Sequence, residues 1–328
     1  MSPIADFGVT HDVAVTVLVD NRADLLVKST KAVRYFTDAP LLAEHGFAAL
    51  IHLKGAGIRI LWDAGISCVA LLENMKRMKL DPASVDKIVL SHGHGDHTGA
   101  MTEILRAMGL GAKPKKWRKD ATVDEIRRWA AGRRVPIIAH PAAFRERWAM
   151  CKDGARHGPI LPPPRAEWEA LGGEIVLTED PYQLGPGCWS TGQTPRRSFE
   201  KISMAASRRY RSGDAFLPDE IEDDQAIVIN VQDKGLVIVS GCAHSGIVNT
   251  VNHGREISGV DRIWGVLGGF HLAPATEEEI SKTIAEIKAH APRLVAPTHC
   301  TGFHATSRFA AEMPEAFVQG VVGATYSF

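Results

Sequence analysis

Ser91-His92-Gly93-His94-Gly95-Asp96-His97 is the stretch on which the reading of this chain turns. Imidazole nitrogen and carboxylate oxygen are the usual ligands of catalytic zinc or iron. His92, His94, Asp96 and His97 place such groups within a single short run. Gly93 and Gly95 carry no side chain, so the backbone can curl and aim the four groups inward. The run follows Val85 to Leu90, a short apolar stretch that reads as a buried strand and would hold the loop rigidly. A histidine-rich polar loop with no ligand is the plainer alternative, but converging histidines need partners.

Working outward, Thr98 to Met108 reads as a helix behind the run. Upstream, Val13 to Val19 reads as a strand, and Phe47 to Leu53 and Ile58 to Trp62 as a hairpin about Lys54-Gly55-Ala56-Gly57. A helix should follow, with Val69, Leu72, Met75 and Leu80 on its apolar face. Downstream, Val135 to Ala139 returns to strand and ends at His140-Pro141. Gln225 to Val231 and Gly235 to Ser240 form a second strand pair, followed by a loop from Cys242 to Gly246 and a helix. Ile263 to Leu267 and Leu294 to Ala296 read as buried strands ending at Gly268-Gly269-Phe270-His271 and Pro297-Thr298-His299. Between them Thr276 and Glu279 make a capping box for a helix with Ile280, Ile284 and Ile287 on one face. Both halves run from paired strands to strands alternating with helices, the pattern of two mixed sheets packed together with helices outside. One domain over 1–328 is expected, with a basic insertion at about 109–134 and a Pro-, Gly- and Arg-rich covering segment of loops and short strands at about 154–218.

His92-Gly93-His94-Gly95-Asp96-His97 resembles the HxHxDH signature of the metallo-β-lactamase superfamily. That resemblance implies a four-layer αββα sandwich. It makes Asp63, in Trp62-Asp63-Ala64-Gly65, the aspartate that orients a metal ligand from behind, and His299 the last metal histidine. Further runs are similar to the branch of dihydropterin-methyl-ribofuranosylaminobenzene phosphate synthase: Ser240 to Ile247, Gly268 to Leu272, Pro297 to Gly302 and Thr191 to Arg196. Two positions depart from the wider superfamily. Gln193 stands near the usual loop histidine, and Cys242 near the usual bridging aspartate. His244 is the replacement ligand this implies. Cys242 can ligate as thiolate or serve as a small buried strand-end residue.

His271, after its Gly-Gly turn, is read as a pocket group that donates a proton or touches substrate, against a histidine packed under the sheet edge. His45 and His140 are read as structural. Arg196 and Arg197, with Arg208, Arg209 and Arg211, are the residues that would meet a phosphate or carboxylate, although any one of them suits a solvated loop equally well.

The 328 residues, 45% hydrophobic and 23% charged, suit an ordinary globular protein. A formal net charge of +0 argues against nucleic acid or an anionic membrane as partner. The basic stretch from Lys113 to Arg134 is diluted by Asp120, Asp124 and Glu125, and Ile126, Trp129 and Ala130 suggest a solvated amphipathic helix there. No apolar run approaches the ~20 residues of a membrane span. Met1 to Val19 lacks the basic start and clean apolar core of a signal peptide, so a cytoplasmic location is expected. Five dispersed cysteines without a CxxC pair argue against a disulfide framework.

The expected function is a hydrolase or group transferase acting on a small polar, phosphorylated or pterin-like molecule. One or two divalent ions, zinc first with iron or manganese as alternatives, would activate water or polarise the substrate, with Asp96 orienting or accepting a proton. Two other classes stay open: a di-iron redox enzyme, disfavoured because flavodiiron members carry glutamate where this chain has His94, and a metal- or ligand-binding protein without turnover. A homo-oligomer is left open.

Overall fold

The computed structural model describes residues 3–110, 120, 122–123, 126, 132–151, 153–200 and 207–328. Much of the basic insertion, Lys113 to Lys119 and Arg127 to Ala130 included, lies outside these. Arg133 and Arg134, at its end, are spent on backbone carbonyls: Arg133 on those of Ala83 and Val85, and Arg134 on that of Gly173.

The chain runs through β1 (Val13–Val19), β2 (Val33–Tyr35), β3 (Ala48–Leu53), β4 (Ile58–Trp62), β5 (Lys87–Val89) and β6 (Val135–Ala139). There follow β7 (Arg147–Met150), β8 (Arg156–Ile160), β9 (Gly173–Leu177), β10 (Tyr182–Gly185), β11 (Cys188–Ser190), β12 (Arg208–Ser212) and β13 (Ala215–Pro218). The last are β14 (Ala226–Val231), β15 (Gly235–Ser240), β16 (Ile263–Gly269), β17 (Leu294–Thr298) and β18 (Ala324–Ser327).

They form an 8-stranded sheet, β2-β18-β1-β3-β4-β5-β6-β9, and a 6-stranded sheet, β10-β11-β14-β15-β16-β17. Each switches from antiparallel to parallel pairing, at β4 in the first and β15 in the second. Three apolar clusters fill three interlayer spaces. One, with Val15, Val17, Trp62, Ile229, Val239 and Leu267, lies between the sheets. A second joins the 6-stranded sheet to the helices Ile247–Ser258, Glu277–Ala289 and Phe303–Glu312. A third joins the 8-stranded sheet to the helices Cys68–Arg77, Met101–Ala107 and Arg165–Ala170. This is the expected αββα sandwich. Its strands are near-continuous apolar runs because both faces are covered.

The first helix corrects one expectation. Its buried residues are Ala70, Leu71, Asn74 and Met75, while Val69 is 63% exposed. Asn74 turns the helix: its amide donates to the Leu18 and Leu42 carbonyls and accepts from Leu42 N, all at 2.8 Å. A polar residue thus occupies a core position that apolar periodicity does not reveal.

The 154–218 stretch is more regular than its composition suggests. It supplies β9, β10 and β11 to the two main sheets, and β8, β12 and β13 to a third, 4-stranded sheet, β13-β12-β7-β8. Residues of that small sheet and of the Pro162-Pro163-Pro164 turn wall one side of the cleft described next.

Candidate metal centre

The functional side chains stand just beyond the carboxyl ends of parallel strands, where open α/β sheets bind ligands. Asp63 follows β4, the histidine run follows β5, Cys242 and His244 follow β15, His271 follows β16 and His299 follows β17. Strand register therefore fixes the site more than loop conformation does. Asp63, Ala243, His271 and His299 all take left-handed φ angles, 58°, 54°, 48° and 46°. Such residues cost about 1–3 kcal/mol each and collect at functional sites. Gly93 has no alternative, since a Cβ there would run into the carbonyl of Ala143.

Two groups of donor atoms converge. His92, Cys242 and His244 offer ligand atoms within 4.8 Å of one another, as do Asp96, His97, Cys242 and His299. His94 joins the first group, its Nδ1 2.9 Å from His92 Nε2. Cys242 Sγ is common to both and lies 3.1 Å from His97 Nε2. Asp96 Oδ2 faces three imidazoles, His299 and His45 at 3.4 Å and His97 at 3.8 Å.

Behind these groups, other side chains set which nitrogen points inward. Asp63 accepts from Ser91 N at 2.7 Å and Ser91 Oγ at 2.7 Å, and meets His97 Nδ1 at 2.6 Å, so His97 Nε2 turns to the cluster. Asp20 accepts from His299 N at 2.8 Å, and Asn21 Oδ1 is 3.1 Å from His299 Nδ1, which turns His299 Nε2 the same way. Three consecutive residues before β14 grip the two ligand loops. Asp223 accepts from Gly93 N at 2.7 Å, Asp224 accepts from Ser245 N at 2.8 Å, and Gln225 donates to Leu90 O from its amide at 2.8 Å and to Ser91 O from its backbone at 3.0 Å.

The charge states suit a cation. Burial, with like-charged neighbours, lowers the pKa of His92 and His244 and brings that of His94 to about 4, so all three are neutral with lone pairs available. For Asp96 burial acts upward, but His97 and His299 more than offset it, and the carboxylate stays ionised. For His97 burial acts downward, but Asp63 and Asp96 prevail and raise it to about 9. Three further nitrogens, His94 Nε2, His244 Nε2 and His299 Nε2, are buried without a hydrogen-bond partner. Buried polar atoms are rarely left so. The orphaned His244 Nε2 and His299 Nε2, beside the Cys242 sulfur and the Asp96 carboxylate, fit a divalent ion of borderline softness.

One consequence is measurable. An ion taking His97 Nε2 must displace the proton held there below pH about 9, so metal uptake releases protons and tightens as pH rises. Chelator competition at pH 6.5 and 8.5, both inside that window, is expected to show the tighter binding at 8.5; equal affinity would remove His97 from the ligand set.

The structure brings together His92, His94, Asp96, His97, Cys242, His244, His271 and His299, with Asp63 behind them. It does not bring Arg196 or Arg197 into the cleft. Arg196 donates to the carbonyls of Glu220 and Ile221, and Arg197 pairs with Glu256 at 2.8 and 3.0 Å. Both guanidiniums are used to tie the segment down. The arginines that do line the cleft are Arg145, Arg147 and Arg208. Gln193 is exposed, its backbone N–H on Glu179 O. His140 lies outside the cleft lining, its Nδ1 accepting from Ala142 N at 3.1 Å. His45, read as structural, instead stands at Asp96. Cys300, Asp20, Asn21, Asp223, Asp224 and Gln225 escaped the sequence reading. Glu222-Asp223-Asp224 before an apolar strand looks like a solvated turn; nothing local betrays its burial.

Residues 43–255 match the family model described as Metallo-beta-lactamase superfamily, and the chain belongs to that superfamily. It is 34% identical over 285 residues, 85% of this chain and 88% of the relative, to 7,8-dihydropterin-6-methyl-4-(beta-D-ribofuranosyl)-aminobenzene-5'-phosphate synthase of Methanocaldococcus jannaschii. An uncharacterised protein of the same archaeon is 29% identical over 299 residues, 91% of this chain and 97% of the relative. Among solved structures, a metal-dependent hydrolase of the β-lactamase superfamily superposes with a TM-score of 0.69 at 21% identity, covering 95% of this chain and 98% of that one. At that identity the likeness speaks for the fold alone. No helix among the described residues is long and apolar enough to cross a membrane.

Proposed function

We infer that this chain is a divalent-metal-dependent group transferase that joins a pterin-like heteroaromatic unit to a phosphorylated aromatic partner. The observation that carries this reading is the cleft over the donor groups. It measures about 770 Å³, within the ~300–1,000 Å³ usual for small-molecule sites. Ile66, Ile160, Leu161, Pro162 and Trp168 give it an apolar side suited to a planar ring. Arg208 gives it a cation suited to a phosphate, while Arg145 beside it is paired with Glu222 at 2.6 Å. The relative whose printed name joins a dihydropterin to a ribofuranosyl-aminobenzene phosphate supports the same pairing.

His92, His94 and His244 with Cys242 would hold one ion, and Asp96, His97 and His299 with Cys242 a second. Such an ion supplies a Lewis acid for a phosphoryl or carbonyl oxygen. The chain's own groups do the rest. Arg208 orients the anionic partner. Asp96, ionised and facing the cleft, orients the attacking group by accepting its hydrogen bond. His271, its Nδ1 buried without a partner, is placed to give a proton to the leaving group. Arg147 does not bind substrate, because two aspartates occupy it.

The test is direct. The metal-reconstituted protein is given a dihydropterin with an activated 6-methylene group and a ribofuranosylaminobenzene 5'-phosphate, and the coupled product is sought by mass spectrometry. Metal-dependent product supports the reading. Hydrolysis of esters, lactones or phosphodiesters without coupling would replace it with the hydrolase reading, and no turnover of either kind by the loaded protein would leave a binding protein. Arg208→Gln is expected to raise KM for the phosphorylated partner by about 10–100-fold with little change for the pterin, the worth of one charge-assisted hydrogen bond. An equal effect on both substrates would argue for a structural role of Arg208.

A further inference from the structure

A third donor group overlaps the first two and adds Cys300, a sulfur that the chemistry above does not use. Cys242, His271 and Cys300 also offer ligand atoms within 4.8 Å of one another. In a trigonal site with metal–sulfur bonds of about 2.3 Å, donors stand about 4 Å apart, so closing this group on an ion takes only a small adjustment. Several features hold it in place. Cys300 Sγ reaches back toward the Cys242 carbonyl at 3.5 Å. A Cβ on Gly269 would lie 2.7 Å from Cys300 Sγ, so the Gly268-Gly269 pair leaves the space this sulfur fills. His271 is kept at φ 48°, a conformation a histidine seldom adopts, and its Nδ1 is buried with no hydrogen-bond partner. Both Cys300 and His271 border the cleft, so an ion can enter.

We propose that Cys242, His271 and Cys300 form a separate seat for a soft, thiophilic cation, of the class of Cu+ or Cd2+. Two sulfurs and one imidazole in a near-trigonal arrangement are a soft-metal ligand set, whereas the neighbouring groups, with three imidazoles to one sulfur or two imidazoles and a carboxylate to one sulfur, suit borderline ions. Cys242 belongs to all three groups, so a cation seated here takes the thiolate that the other two share. A soft metal would therefore dismantle the catalytic pair rather than add to it.

The test is the sulfur count around cadmium. The full-length chain, freed of metal, receives one equivalent of Cd2+, and X-ray absorption counts sulfur neighbours. Two sulfurs are expected in the wild type, falling to one in Cys300→Ala and in Cys300→Ser, with circular dichroism confirming that the variants are folded. One sulfur or none in the wild type overturns the proposal, and so do two sulfurs in either variant. The wild-type count decides the matter even if both variants misfold. The proposal uses the donor geometry alone; the transferase reading stands or falls separately, on product formation with zinc.

Discussion

His92→Ala will leave the chain folded but nearly free of metal. His92 is fully buried, and both of its nitrogens are committed, Nδ1 to Ser91 Oγ at 2.8 Å and Nε2 toward His94 Nδ1 at 2.9 Å. Its ring also lies 4.3 Å from that of His97 and 4.8 Å from that of His244. Partners that merely orient a ligand are worth roughly 10–100-fold in affinity, so loss of a ligand itself should exceed about 100-fold. Metal content after dialysis and gel filtration, read beside circular dichroism, is the measurement. Full retention of metal at unchanged affinity would mean that the histidine run is not the ligand loop.

Arg147→Met should destabilise the protein by about 3–5 kcal/mol, the usual cost of stranding a buried charge. Arg147 is 3% exposed, with Nε 2.7 Å from Asp219 Oδ2 and Nη2 2.8 Å from Asp223 Oδ1, and both aspartates are fully buried. Methionine fills much of the volume but leaves two carboxylates with no counter-charge. Asp223 also accepts from Gly93 N, so the substitution should loosen the His92–His94 loop and weaken metal binding together with the fold. Urea melts of the metal-free protein isolate the first effect and metal titration the second. Adding Asp219→Asn to Arg147→Met should restore part of the loss. A change below about 1 kcal/mol would show that water or a backbone shift neutralises the pair.

What the sequence made legible was whatever obeys a period or a spacing. The layers followed from runs such as Val13–Val19 and Gly235–Ser240, nearly continuous in apolar residues because both faces are covered. The ligand run followed from its glycines and its position after a strand. His244 and His299 were read from the ends of strands, and the structure places both in the donor groups. Burial that comes from partners distant in sequence stayed out of reach. Asn74 looks like a helix-surface residue until Leu18 and Leu42 are seen around it. Asp223 and Asp224 look solvated until their N–H donors from Gly93 and Ser245 arrive, 130 and 21 positions away. Arg196 and Arg197 stand outside the cleft lining for the converse reason: nothing local says that a guanidinium is already taken by Ile221 and Glu256.

The switch from antiparallel to parallel pairing at β4 and again at β15 has a mechanical consequence. Asp63 and the histidine run hang from one sheet, and Cys242, His244, His271 and His299 from the other. For the two histidine-rich groups, each half of the molecule thus owns part of the donor set and neither owns a complete one, whereas the Cys242, His271 and Cys300 group hangs from the 6-stranded sheet alone. A bound ion would act as a rivet through the joint between the halves, on the side where the apolar filling gives way to the cleft. Whatever spreads the two sheets would open the joint and slacken the rivet at once, so the first motion of unfolding and the loss of the ion should be one event.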